Sequence, residues 1–161
     1  MAVCDYKISM AIDCEKPALV DGEFGPNDIG HKYKPMSYHG VKAKKSKDKT
    51  RWNHPAYVEY HVFNLADEHD GSVGEDGIED KRWVNDDGEG LYSLVDDCNE
   101  ILGKDNEERF AYFRNPMNPT DPWHGYPIDS SKIGDELIEY WHKKKVISDS
   151  TYLRLSRHQP I

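Results

Sequence analysis

The chain lacks most of the features that announce a reaction or a compartment. Its three cysteines, Cys4, Cys14 and Cys98, contain no Cys-x-x-Cys pair. An odd, scattered set is neither a disulfide framework nor a cysteine-rich zinc site, and it fits a reducing, cytoplasmic setting. No apolar run approaches the 18 residues of a spanning helix, and the charged, interrupted residues 1–15 do not read as a secretory signal. Gly-x-Ser-x-Gly, the dinucleotide fingerprint and the glycine-rich phosphate loop are missing, as are His-Glu-x-x-His and the EF-hand loop. The sequence therefore calls for no cofactor and no metal, and it names no catalytic group.

Aliphatic residues are also scarce. Leu, Ile, Val and Phe make up 31 of 161 residues, close to the level at which chains cease to fold. Ten tyrosines and four tryptophans offset this, because each ring removes a large area from water. A chain of 161 residues buries enough surface for a core and reads as a single domain, 1–161, with long polar loops.

What is abundant is charge, unevenly placed. Residues 66–97 hold twelve acids against Lys81 and Arg82, while residues 31–52 hold eight bases against Asp48. The acidic half repels phosphate and argues against duplex nucleic acid as the main partner. A protein with a basic surface fits better, with Asp76, Glu79 and Asp80 as its docking groups.

Hydrophobic periodicity supplies the elements. Alternation at residues 3–12 predicts a strand, and residues 13–54, broken by seven Pro and Gly, predict a long irregular excursion. Residues 56–64, rich in Val, Tyr and Phe, read as a second strand with Glu59 and His61 on one face. An acidic loop follows at 66–80, and a short strand fits around Trp83 and Val84. Leu91, Leu94, Val95, Cys98, Ile101 and Leu102 recur at helical spacing and predict an amphipathic helix ending at Gly103. Residues 109–114 read as a central strand, apolar on both faces. Four prolines between 116 and 127 predict an extended loop outside any ladder. Apolar stripes at 133–141 and 152–155 predict a helical hairpin over 131–157, with Ser130 or Ser131 and Ser148 as caps. The expected class is α+β: a small, mostly antiparallel sheet, one amphipathic helix and a C-terminal helical hairpin.

Three regions could carry function. The loop 114–127 gathers Arg114, Asp121, Trp123, His124 and Tyr126: a cation, an acceptor, two flat rings and a group titrating near neutrality. Loops leaving a central strand hold such groups rigidly, so this loop is a candidate pocket or contact. His61, Glu59 and residues 67–70 offer nitrogen and oxygen donors, but their spacing matches no metal motif, and His31, His39 and His54 share no ligand-like period. The basic stretch 31–52 interleaves Tyr33, Tyr38 and Trp52 with lysines, as single-strand nucleic-acid binders do. Taken together, the sequence leads to a non-enzymatic interaction module, such as an inhibitor, an immunity- or antitoxin-type partner or an accessory subunit. A small metal- or His-assisted hydrolase at 114–127 and a single-strand binder at 31–52 are the alternatives.

Overall fold

The structure, a computed structural model, describes residues 17–85 and 87–161. The strand expected at 3–12, Cys4, Cys14, the start of the excursion and Asp86 lie outside the described residues. Strands β1 (Gly90–Leu94), β2 (Phe110–Arg114) and β3 (Gly125–Ile128) form an antiparallel sheet in the order β1–β2–β3. Helix α1 (Ala56–Asp67) covers one face. Helices α2 (Asp135–Lys143) and α3 (Asp149–Ser156) form the C-terminal hairpin, whose Trp141 meets the other face at Phe110. The class is α+β, as expected, but the amphipathic helix lies elsewhere in the chain. Among the described residues no helix is long and apolar enough to cross a membrane.

Residues 56–64 are helical, not extended. The buried positions Val58, Val62 and Ala66, with Glu59, Phe63 and Asp67 beside them, recur every four residues. A short apolar run fits both periods. Two signals decide for the helix: the pattern runs on to a length of 12 residues, and Pro55 stands at its start with the fixed φ of a first turn.

Residues 91–102 are the converse. Residues 90–94 are strand β1, after which Asp96, Asp97 and Cys98 all take positive φ, at 51°, 55° and 66°. The helical spacing of the leucines has another cause. Every residue of β1 is buried, because β2 pairs along one edge while Trp83 and Val84 lie along the other (Tyr92 N donates to Trp83 O at 2.9 Å). A strand enclosed on all sides needs no alternation. Gly90 serves close approach here, since a Cβ would come within 2.5 Å of the Phe113 carbonyl.

Strand β2 is central, as its two apolar faces predict. The proline-rich segment does enter the ladder: Gly125, Tyr126 and Pro127 pair with Phe113, Tyr112 and Ala111. Pro127 is tolerated because β3 is an edge strand of the sheet. In the hairpin, Ser148 caps α3 by accepting from Thr151 N. Neither Ser130 nor Ser131 caps α2; Gly134 is its N-cap residue, and its N–H donates to Asn85 Oδ1 at 2.9 Å.

Sheet pleating then sorts the side chains. Leu91, Ser93, Ala111 and Phe113 face α1, with Ser93 Oγ donating to Val62 O at 2.8 Å. Phe113 touches Tyr33, Trp52 and Phe63. The excursion is thus irregular but anchored, since Phe24, Tyr33 and Trp52 are all buried in this core. On the opposite face Phe110 stacks on Trp141 of α2, at 6.2 Å and 17°.

Candidate functional site

The residues singled out in 114–127 do not form one site, because strand parity divides them. Gly125 continues the core-facing set with Phe113, and Trp123, two residues earlier, also turns inward and is 5% exposed. It packs on Phe63 at 5.5 Å and His31 at 5.6 Å, with the Arg82 guanidinium 5.4 Å above its ring. Asp121 stays in the exposed loop, where it accepts from Asn118 Nδ2. Arg114, His124 and Tyr126 share the opposite face.

That face carries two adjacent rows. The first is aromatic: Tyr92, Tyr112 and Tyr126 lie side by side on β1, β2 and β3, with ring centroids 4.9 and 5.8 Å apart. His39 stacks on Tyr126 at 4.9 Å, Tyr38 meets His39 edge-on at 4.7 Å, and Lys49 Nζ sits 4.4 Å above the Tyr38 ring. The second row is cationic. The Phe113–Gly125 register, carried one residue further, sets His124 across from Arg114. The parallel bridge between Tyr33 and Trp123, with Lys34 N donating to Trp123 O at 2.7 Å, sets Lys34 beside His124. Burial lowers the His124 pKa, and the positive charges of Arg114 and Lys34 lower it further. Burial likewise lowers His39.

Behind Trp123, on the α1 side, lies a polar cluster that sequence reasoning missed. The Asp67 side chain is fully buried. Its Oδ1 accepts from Arg82 Nε and Nη2 at 2.9 and 2.6 Å, and its Oδ2 from His31 Nδ1 at 2.8 Å and Asn27 Nδ2 at 2.7 Å. Four donors satisfy a buried carboxylate. The run 67–70 stood out as a set of donors, but nothing in the sequence marks Asp67 as the buried one. Its position one turn after Phe63 on a helix would have done so, had the segment been read as helical.

The nitrogen and oxygen donors weighed for a metal separate. On a helix, residues two apart point some 200° away from each other, so Glu59 and His61 do not share a face. Glu59 turns into the core and accepts from Tyr33 Oη at 2.8 Å. Burial pushes its pKa up to about 8. His61 lies against Tyr57 and Tyr60, and burial lowers its pKa. Among the described residues, no group of three His, Cys, Asp or Glu side chains is placed to hold a metal ion.

The acidic docking groups are unequally free. Asp76 pairs with Lys144 at 3.1 Å and also accepts from Ile78 N, and Asp80 pairs with His69 at 2.9 Å. Glu75 and Glu79 are exposed and make no ion pair among the described residues.

No family model, no curated protein and no solved structure matches the chain. Depressions of about 610 Å³ at the α2–α3 turn and about 320 Å³ near the C-terminus contain neither Arg114, His124 nor Asp67.

Proposed function

We propose that the chain is a non-enzymatic interaction module that docks a basic partner protein through an acidic surface around Asp76, Glu79 and Asp80, in a reducing, cytoplasmic setting. One observation carries this reading: the two charged stretches do not neutralise each other. Lys42, Lys44, Lys45, Lys47 and Lys49 are exposed, and among the described residues none forms an ion pair with an acid. Among the described residues, one contact joins a basic and an acidic side chain of the two stretches, His31–Asp67, and its carboxylate end is fully buried. Glu75, Glu79, Asp87 and Glu89 are exposed, and among the described residues they form no ion pair. Such a field speeds encounter with a cationic partner, and salt screens it. A hydrolase at 114–127 has weaker support, since the neighbours of His124 are cations rather than a carboxylate that would orient it.

The test is a native pull-down with mass spectrometry at low and high salt, run beside the double variant Glu75→Lys/Glu79→Lys. The reading expects basic proteins that are captured at low salt, released at high salt and lost with the variant. A capture profile unaltered by the variant would overturn it.

A further inference from the structure

We infer that the sheet face opposite α1 is a binding site for single-stranded nucleic acid, with Tyr112, Tyr126 and Tyr38 as stacking rings and Lys34, Arg114 and Lys49 as phosphate contacts. This surface borders the acidic one at Asp87 and Glu89 and joins two parts of the chain far apart in sequence. The sequence offered a basic stretch at 31–52 and an aromatic loop at 114–127 as unrelated candidates. The fold merges them: the bridge at Tyr33–Trp123 lays Lys34 against the start of β3, and the His39–Tyr126 stack extends the tyrosine row into Tyr38.

The geometry suits a strand of unpaired nucleotides. The cation row and the tyrosine row are two residues apart along the strands, about 7 Å. A base stacked on a tyrosine therefore places its backbone near Arg114 and Lys34. Among the described residues neither Lys34 nor Arg114 has an anionic partner. Tyr112 and Tyr126 are half-buried, and Tyr38 is 40% exposed. The hairpin leaves this half of the face open, since Trp141 engages Phe110 at the other end of β2. Polarity sets the track as well. Asp87 and Glu89 adjoin Tyr112 from the β1 side, so phosphates are held on the β3 side. A duplex hides its base faces and brings two charged backbones toward an acidic molecule, whereas unpaired bases can stack on the rings.

The experiment is fluorescence anisotropy of labelled oligo(U) and oligo(dT), about twelve nucleotides each, titrated with the full chain at about 50 and 200 mM salt. Binding should be measurable at low salt and fall with a log–log slope of about −2, as three neutralised phosphates of a single strand require. Lys34→Glu/Arg114→Glu should weaken binding about tenfold or more. Lys143→Glu, an exposed lysine on α2, should change it less than twofold. Tyr126→Leu should weaken both oligomers but leave binding of heparin, a polyanion without bases, unchanged; thermal melts show whether each variant is folded. Three results overturn the inference: no oligomer binding at low salt, an equal effect of Lys143→Glu and the Lys34/Arg114 pair, or equal loss of heparin and oligomer in a folded Tyr126→Leu.

Discussion

Tyr33 donates its hydroxyl to Glu59 over 2.8 Å at the centre of the protein, where Tyr33 is fully buried and Glu59 is 1% exposed. A carboxyl in this position holds its proton. The unfolded chain releases it near the ordinary value of 4.5, whereas the folded chain retains it to about 8. Between those values folding takes up a proton, so stability falls as pH rises and the full cost is reached above about 8. Glu59→Gln keeps an oxygen for Tyr33 and removes the titration. It should be close to neutral at pH 4 and stabilising by about 3–5 kcal/mol at pH 9. Urea unfolding of both proteins across that range checks it; a difference independent of pH would contradict the assignment.

Asp67 is also a buried acid, and it differs in its surroundings: four side-chain donors surround it. Asp67→Ala removes the acceptor of Arg82, His31 and Asn27 together. Breaking a buried pair from one side costs about 3–5 kcal/mol; here the lower end applies, since the Arg82 side chain is 35% exposed and turns to water. Arg82→Met should cost less than Asp67→Ala, and the double variant little more than Asp67→Ala alone. A double-mutant cycle by chemical denaturation measures this.

Phe113 is the hub of the α1-side core, in ring contact with Tyr33, Trp52 and Phe63. Phe113→Ala should cost about 3–5 kcal/mol, a value set by transfer and the cavity left behind. Met117, in the proline-rich loop, is 98% exposed, and Met117→Ala should shift stability by less than about 0.5 kcal/mol. Paired thermal melts compare the two.

Cys98 is 1% exposed, and burial pushes its thiol up to about 12. It should resist a thiol reagent in the native protein at pH 8 and react on unfolding, with a rate that follows unfolding as denaturant is added. Mass spectrometry of the labelled peptide provides the reading; rapid native labelling of Cys98 would contradict the core placement.

The sequence disclosed elements whose patterns admit one reading and misled where two periods fit. Residues 110–114, apolar on both faces, are the central strand, and the hairpin with its Ser148 cap is where its stripes put it. The 56–64 run satisfied both alternation and helical spacing, and the leucines of 91–102 mimicked a helix because an enclosed strand needs no alternation. Exchanging those two elements hid the inward turn of Glu59 and the burial of Asp67. The candidate loop was legible as a list of residues, not as a site. Which of Trp123, His124 and Tyr126 face together depends on strand parity, and the prolines masked the strand. Lys34 and Tyr38 reach the face only through contacts about 90 residues apart in sequence, which no local pattern encodes.

The most direct test of the proposed docking is the association rate of the captured basic partner with immobilised protein, measured at low salt by surface plasmon resonance. Glu75→Lys/Glu79→Lys should lower this rate several-fold at low salt and have little effect at high salt. An association rate unchanged by the variant at low salt, in a protein shown to be folded, would contradict it.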